Sequence, residues 1–309
     1  MSHFSVSQIK GVIPAMLTPF NEKEELDLNR TRALTAKLLK EGVNGLYLTG
    51  STGEGFLCTA DERKLFVETV LEEVRGKIPV IVHVGAISTK VSEELARHAA
   101  SVGADAVSSV PPIYWKFQDD EIIAYYADLA QAAGIPMIVY NIALAGLVSF
   151  DMIKRLGKLD GVSGIKYTSA TLYDVFRIKE ELGKNFAVYS GSDELAVSGL
   201  AFGADGIIGS TYNVLAPVFL KLWDLMRRND VDAARKLQQK ANRIIFTMLK
   251  HNLMPSLKAV LTLGGQVDGG FCRRPFSRLS AEQIEALKAD LAAVKEETGD
   301  LGLDFFRVL

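Results

Sequence analysis

The sequence predicts an α/β fold, a (β/α)8 TIM barrel followed by a C-terminal helical extension. Short apolar runs alternate with longer amphipathic segments over residues 11–208, the pattern of repeated β-α units. No GxGxxG or GxxxxGK[ST] motif occurs, which weakens the rival fold, a doubly wound sheet that binds a nucleotide. Because the chain changes character after the last run, we predict a catalytic barrel over residues 1–215 and the extension over residues 216–309.

Each apolar run has the length and composition of a buried parallel strand. The runs are rich in β-branched side chains and are bounded by glycine, proline or polar turn residues, as strands covered on both faces are. The eight predicted strands are 11–17, 45–48, 79–84, 106–110, 136–140, 162–167, 187–189 and 206–208. The predicted helices between them are 29–41, 60–75, 89–101, 119–133, 150–156, 172–182 and 194–201.

Long charged helices are predicted beyond the last strand. Residues 216–249 have this character, and residues 280–297 form a further helix that begins with Ser280 as its N-cap and has Glu282 in its first turn. Residues 264–275, GGQVDGGFCRRP, are a glycine-rich connection. No low-complexity linker separates this part, so we expect it to pack on the barrel rather than to fold as a second unit.

Composition argues against nucleic acid and membranes as partners. The chain has 309 residues, of which 48% are hydrophobic and 23% charged, and its net charge of -2 provides no field that attracts polyanions. The first eleven residues are polar and resemble no signal peptide. Cys58 and Cys272 lie far apart without metal-ligand spacing, which fits a reducing compartment. We therefore expect a cytoplasmic protein.

A lysine lies inside one of the predicted core strands. Residues 161–169 read GVSGIKYTS, with Lys166 among β-branched and aromatic neighbours. Burying an ammonium costs several kcal/mol, so a lysine on a core strand is either ion-paired or functional. Burial favours the neutral amine, which attacks a ketone to form a Schiff base. The alternative is a strand-end lysine whose amine reaches water.

Other polar residues follow the second and fifth predicted strands, and active sites of TIM barrels form at these C-terminal strand ends. Residues 49–55 read TGSTGEG, where backbone N–H groups together with Ser51 and Thr52 can bind a small carboxylate such as that of pyruvate. An ordinary βα turn is the alternative. Tyr140 ends the fifth strand, and its phenol can exchange a proton with a substrate oxygen unless it is an interior, hydrogen-bonded tyrosine.

The last three strands end in hydroxyls, glycines and two adjacent carboxylates. Thr168, Gly191 and Ser210 follow the sixth, seventh and eighth strands, and Asp193 and Glu194 also follow the seventh. The carboxylates either cap a helix or accept hydrogen bonds from the hydroxyls of a polyol or sugar. The segment GIIGST is able to cradle a phosphate. The nearby carboxylates, with no arginine beside them, argue against a phosphorylated substrate.

Taken together, the motifs GSTGE, YN, GIKYTS, GSDE and GADGIIGST resemble those of the pyruvate-dependent class I aldolases, the dihydrodipicolinate synthase and N-acetylneuraminate lyase superfamily. The resemblance runs from GVIPAMLTPF through the helical extension, in family order. It implies a barrel in which Lys166 forms an imine with pyruvate and Tyr140 relays the proton. It also implies that Ser51 and Thr52 bind the pyruvate carboxylate, with Ser51 in the relay, and that neither a metal nor a cofactor is needed.

The resemblance also implies a homotetramer. Tyr114, in the segment PPIYWKF, is similar to the tyrosine that reaches from one subunit into the next in this family. Trp115 is its neighbour and the alternative for this position. The predicted partners are therefore a small-molecule substrate and further copies of the chain.

The loop after the fifth strand separates the branches of the superfamily. Synthase members resemble YN-x-P-x-R-x-G, but here Leu144 occupies the position of the arginine and the proline is missing. A leucine cannot pair a carboxylate, and loss of the proline affects the shape of the aldehyde pocket. KYTS, GSDE, STYN and LYD resemble the sialic acid lyase branch, which implies sugar contacts from Thr168, Gly191, Asp193, Glu194 and Ser210.

We therefore expect a carbon–carbon lyase of sialic acid catabolism that reversibly cleaves N-acetylneuraminate to N-acetylmannosamine and pyruvate. The alternatives are a pyruvate aldolase for a 2-keto-3-deoxy sugar acid, a dihydrodipicolinate synthase, and a non-catalytic sensor that binds a keto acid. The roles that the resemblance implies leave none for His83 or His98, which we interpret as core or surface residues.

Overall fold

The protein forms a nearly closed barrel of eight parallel strands, in a computed structural model that describes residues 4–309. Residues 1–3 of the predicted barrel and of the polar N-terminus lie outside the described part. The strands are β1 (Gly11–Pro14), β2 (Leu46–Leu48), β3 (Val80–His83), β4 (Ala106–Ser109), β5 (Met137–Ile142), β6 (Val162–Thr168), β7 (Ala187–Ser190) and β8 (Gly206–Gly209). Their order is β1-β8-β7-β6-β5-β4-β3-β2. The predicted fold class is confirmed.

The barrel closes where β1 meets β2. Ala15 forms a parallel bridge with Tyr47, and the Met16 amide donates to the Tyr47 carbonyl at 2.8 Å. At the start of β1, the Val12 amide donates to Asn44 Oδ1 at 2.8 Å. These bonds satisfy backbone groups that an open sheet edge would leave unpaired.

Helices alternate with the strands, as predicted. They are α1 (Leu28–Glu41), α2 (Ala60–Val74), α3 (Thr89–Ser101), α4 (Asp119–Ala133), α5 (Phe150–Gly157), α6 (Tyr173–Leu182), α7 (Ala196–Ala201) and α8 (Tyr212–Arg227). Several begin at a side chain that caps a free N–H group: Thr59 accepts from the Glu62 amide at 3.2 Å and Ser149 from the Met152 amide at 3.2 Å. Such caps replace hydrogen bonds that the first turn of a helix lacks.

Side chains that alternate between the two faces of each strand form two hydrophobic cores. On β1, Val12 packs with the helices while Ile13 belongs to a smaller cluster with Ile81, Ile138 and Ile208, because successive side chains of a strand point to opposite faces. The second cluster fills the barrel interior. The Tyr189 hydroxyl donates to the Ile9 carbonyl at 3.1 Å, which ties the N-terminal segment to the interior.

The C-terminal extension consists of α9 (Val231–Lys250), α10 (Leu253–Leu263) and α11 (Ala281–Thr298). Ser280 is the N-cap of α11, as predicted. The predicted helical region over 216–249 is interrupted after α8, where Asn229 adopts a left-handed φ of 60°. The predicted boundary at residue 216 falls inside α8, and the division of the chain there stays a prediction. None of the helices described is long and apolar enough to cross a bilayer.

Candidate active site

Lys166 lies in the barrel interior among aromatic rings. It is 4% exposed and sits on β6 in register with Tyr140 on β5 and Tyr189 on β7. Its Nζ is 4.1 Å from the centroid of the Tyr140 ring and 4.4 Å from that of Tyr47. Among residues 4–309 no carboxylate oxygen lies within ion-pair distance of this amine. The amine therefore neither extends into bulk water nor is held by an acid, and it stays available to a ligand.

Tyr140 lies beside this amine, with its ring wedged between other aromatic groups. It is buried, and its ring meets those of Tyr47 and His83 edge-on, at centroid distances of 6.0 and 6.2 Å. Edge-on packing of this kind fixes the plane of the ring. Ser51 is exposed at the barrel mouth, and within the described chain no hydrogen bond joins it to the Tyr140 hydroxyl. The relay between these two residues stays a prediction.

His83 is a buried, neutral neighbour of the site. Its Nε2 accepts from the Val110 amide at 3.3 Å, so the proton of the neutral ring resides on Nδ1, which has no partner. Burial lowers the pKa of His83 well below its usual value, and the positive charges of Arg63 and Lys166 lower it further. The structure agrees with its interpretation as a core residue. Within the described residues, no three His, Cys, Asp or Glu side chains gather as a metal ion requires.

The segment 49–55 folds back on itself at the end of β2. Thr49 and Glu54 adopt left-handed φ values of 55° and 53°, an uncommon conformation for residues with a β-carbon. A β-carbon on Gly55 would lie 1.9 Å from the Thr49 carbonyl oxygen, so only glycine fits there. Thr52 Oγ1 lies 2.6 Å from Ser210 Oγ. The fold therefore joins two predicted binding residues from the loops after β2 and β8.

The ends of β6 and β7 meet beside the lysine. A β-carbon on Gly191 would lie 1.8 Å from Thr168 Oγ1 and 3.2 Å from Lys166 Cε, so glycine at this position leaves room for both side chains. Thr168 Oγ1 is buried and has no hydrogen-bond partner among the described residues. A buried hydroxyl without a partner carries an energetic penalty that a ligand can relieve.

Asp193 and Glu194 differ in their surroundings. Asp193 is buried, and its Oδ2 accepts from the Thr211 amide at 2.8 Å and from Thr211 Oγ1 at 2.6 Å. Burial raises the pKa of Asp193 to about 6, although the hydrogen bonds from Thr211 lower it. Glu194 is half-buried and its carbonyl accepts from Asn242 Nδ2 at 3.1 Å. Asp193 thus binds Thr211, the residue before α8, through one of its two oxygens, and it does not cap the next helix, α7, whose N-cap is Leu195.

The remaining predicted positions lie at the rim. Tyr114 is 85% exposed with a left-handed φ of 86°, Trp115 is 62% exposed and Leu144 is 82% exposed. A cavity of about 320 Å³ opens beside Leu144 and Ser51. Its wall is mainly apolar and includes Val110, Ile113, Ile142, Ala145, Pro275 and Phe276.

Two features of the site escaped the sequence analysis. Tyr47 supplies one of the rings around Lys166, although a tyrosine on a core strand gives no specific signal. Behind the loop 49–55, Lys258 forms a buried ion pair with Glu54 at 2.6 Å. Lys258 lies within the apolar stretch SLKAVLTL, and this was a signal that could have identified it as a buried, paired lysine.

Comparisons with known proteins agree with this fold. Residues 8–294 match the dihydrodipicolinate synthetase family. An N-acetylneuraminate lyase from Escherichia coli is 39% identical over 296 residues, which are 95% of this chain and 99% of that protein. A sialic acid aldolase from Ruminococcus gnavus superimposes with a TM-score of 0.89 at 31% identity, over 94% of this chain and 99% of that one.

A dihydrodipicolinate synthase from Bacillus anthracis shares the same fold, with a TM-score of 0.86 at 27% identity over 92% of this chain and 97% of that one. The comparisons confirm the predicted superfamily and the predicted class of enzyme, a carbon–carbon lyase of the class I aldolase type. The match spans almost the whole barrel and most of the extension. This chain belongs to the dihydrodipicolinate synthetase family.

Proposed function

We propose that this protein is a Schiff-base-forming aldolase that reversibly cleaves N-acetylneuraminate to N-acetylmannosamine and pyruvate. The observation that carries the proposal is the environment of Lys166, a buried amine between the rings of Tyr140 and Tyr47 with no carboxylate paired to it. A nucleophilic amine must lose its proton to react, and an acidic partner would oppose that loss. The names of the relatives supply the substrate.

The reaction begins when the ketone of the open-chain sugar condenses with the amine of Lys166. The amine adds to the carbonyl carbon, water leaves, and a protonated imine remains. This cation accepts the electron pair of an adjacent carbon–carbon bond more readily than the ketone does. The rings of Tyr140 and Tyr47 face the nitrogen at 4.1 and 4.4 Å, so their π-electrons stabilise the positive charge.

Bond cleavage then requires a base for the hydroxyl at the fourth carbon. We assign this proton transfer to Tyr140, whose hydroxyl has no partner among the described residues. As the proton leaves, the bond between the third and fourth carbons breaks and its electrons form an enamine on Lys166. N-Acetylmannosamine departs as the aldehyde. The enamine takes a proton at its terminal carbon, and hydrolysis of the imine releases pyruvate and the free amine.

Binding is assigned to the two sides of the mouth. Ser51 and Thr52 hold the pyruvate carboxylate, together with backbone N–H groups of their loop. The sugar hydroxyls are assigned to the opposite side, where Asp193 presents its second oxygen and Thr168 a hydroxyl without a partner. Gly191 and Glu194 complete this side, and Ser210, whose Oγ lies 2.6 Å from Thr52 Oγ1, joins it to the carboxylate-binding side. Every step uses a side chain of the protein, and we propose that no metal or cofactor takes part.

The alternatives share the imine and differ in the aldehyde. An aldolase for a 2-keto-3-deoxy sugar acid needs the same lysine, and a synthase needs a cation for the carboxylate of its semialdehyde. Leu144 offers none at the rim of the cavity. A sensor without catalysis has no use for both a free amine and the phenol of Tyr140 beside it.

We also propose that the protein is a cytoplasmic homotetramer. Tyr114 and Trp115 are large, exposed aromatic residues at the rim, and their rings contact each other at a centroid distance of 4.6 Å. Tyr114 has a left-handed φ of 86° and a side chain that is 85% exposed, as expected for a residue that packs on a neighbouring subunit. Sedimentation velocity tests this directly: a monomer at micromolar concentration would contradict it.

Borohydride trapping tests the chemistry. We expect pyruvate and borohydride to leave a mass adduct on the peptide that contains Lys166, and Lys166→Met to abolish it. Lys154→Met, a change at a partly exposed lysine of α5, is the matched control and should leave trapping intact. An adduct on another lysine, or none, would end the proposed mechanism. A panel of aldehydes with pyruvate then tests the substrate: faster turnover of glyceraldehyde than of N-acetylmannosamine would favour the first alternative.

A further inference from the structure

A buried ion pair links the C-terminal extension to the loop 49–55. Glu54, the last residue of the GSTGE motif, and Lys258 on α10 lie 2.6 Å apart, and their side chains are 0% and 2% exposed. Removing two charges from water is costly unless every polar atom finds a partner. Where all its members are satisfied, such a pair gives little net stability but constrains geometry.

The pair is satisfied on both sides. Besides Glu54, the Lys258 ammonium donates to the carbonyl of Thr18 at 2.7 Å and to that of Phe271 at 2.5 Å, so each of its three N–H bonds has an acceptor. The other carboxylate oxygen of Glu54 accepts from the Arg273 amide at 2.7 Å. The loop is therefore bound to α10 and to the glycine-rich connection at the same time.

The same contacts hold the loop in an unfavourable backbone conformation. Glu54 has a left-handed φ of 53°, which persists only where the surroundings enforce it. Thr18 Oγ1 donates to the Gly53 carbonyl at 2.7 Å. The Arg273 guanidinium donates to the Leu57 carbonyl at 2.9 Å and forms two bonds to Glu62, at 2.6 and 2.7 Å. The segment that carries Ser51 and Thr52 is thus fixed from behind at its C-terminal end, through Gly53, Glu54 and Leu57.

We infer that Lys258, Glu54 and Arg273 are positioning residues for the carboxylate-binding loop, so that the C-terminal extension forms part of the pyruvate site. This rests on the proposed function of Ser51 and Thr52. Without the pair, the loop relaxes toward ordinary φ values, and Ser51 and Thr52 move from the positions that the fold gives them. Lys166 and Tyr140 lie on β6 and β5 and should keep their geometry.

The test compares Lys258→Met with Lys37→Met. Lys37 forms a second largely buried ion pair, with Glu41 at 2.5 Å and side-chain exposures of 6% and 15%, on α1 and away from the loop. We expect Lys258→Met to raise the pyruvate concentration for half-maximal borohydride trapping by about 10-fold to 100-fold, and to lower kcat at saturating pyruvate much less. Lys37→Met should leave the half-saturation concentration unchanged, even if it lowers Tm equally.

A second variant and a second readout keep the inference decidable. The double variant Glu54→Gln, Lys258→Met removes both charges and so leaves no unpaired one, and it should show the same loss of pyruvate affinity. In both variants, amide hydrogen exchange over residues 49–57 should accelerate by at least tenfold relative to Lys37→Met. Unchanged exchange and unchanged half-saturation would overturn the inference. If wild-type protein is not trapped by pyruvate, the proposed function fails, while the exchange rates still decide whether the extension positions the loop.

Discussion

Replacing Asp193 by asparagine should change how the stability of the protein depends on pH. Burial raises the pKa of the Asp193 carboxyl from 3.8 to about 6. Between these values the folded protein holds a proton that the unfolded chain has released. Stability from this group is therefore fully present below pH 3.8 and is lost as pH rises through about 6, the reverse of an aspartate whose pKa is lowered on folding.

The magnitude follows from the two pKa values of Asp193. The difference between 3.8 and about 6 corresponds to about 3 kcal/mol over the whole range. Most of this change falls below pH 7: from pH 8 to pH 5 the wild type should gain roughly 1 kcal/mol in its free energy of unfolding relative to Asp193→Asn. Other titrating groups are common to both proteins and cancel in the difference.

Urea unfolding of wild type and Asp193→Asn at several pH values between 5 and 8 measures this difference. Thr211→Val is the matched variant, because it removes the hydroxyl hydrogen bond that lowers the pKa of Asp193. It should enlarge the gain on acidification beyond that of the wild type. A difference that stays flat from pH 8 to pH 5, or one in which acid weakens the wild type relative to the variant, would refute the reasoning.

Three further predictions concern the site and its rim. Tyr140→Phe keeps the ring over the amine but lacks the hydroxyl. Pyruvate trapping should therefore persist, while the rate of sugar cleavage falls by about 10²-fold to 10⁴-fold. A fall in rate of less than tenfold would contradict the role of the phenol. Thr52→Val loses the contact with Ser210 at 2.6 Å. Because such a hydrogen bond contributes about 0.5–1.5 kcal/mol, the half-saturation concentration of pyruvate should rise by about 2-fold to 10-fold. Unchanged trapping kinetics would contradict a role of Thr52 in binding pyruvate. Leu144→Arg should change the free energy of unfolding by less than about 0.5 kcal/mol, because the side chain is exposed. It should also increase condensation of pyruvate with a carboxylate-bearing aldehyde relative to N-acetylmannosamine, and an unchanged ratio would place this residue beyond reach of the aldehyde.

Secondary structure was predictable where the signal is local. The bounds of α3 and α4 agree with those predicted, since apolar periodicity marks both helices and Ser88 caps the start of α3. The first strand was predicted to continue to residue 17, but β1 ends at Pro14. Beyond β1 the backbone changes its hydrogen-bond partner from β8 to β2: the Ala15 amide donates to the Gly209 carbonyl, and the Met16 amide donates to the Tyr47 carbonyl. An apolar run does not reveal such an exchange of partners.

The sequence by itself determined which residues reach the mouth of the barrel. Periodicity of two along a strand and the position of each strand end are local properties, so Lys166, Tyr140 and the GSTGE loop could be assigned to one site before any contact was known. The residue types also indicated the proposed chemistry, because a primary amine forms an imine with a ketone.

Tertiary structure alone decided how these residues are held. The bond from Thr52 to Ser210 spans 158 positions and that from Glu54 to Lys258 spans 204, and no local pattern connects such pairs. The raised pKa of Asp193 likewise depends on how completely several elements exclude water from one carboxylate. Desolvation and long-range pairing are properties of the assembled fold, since they sum over neighbours that the chain brings together only when it closes the barrel.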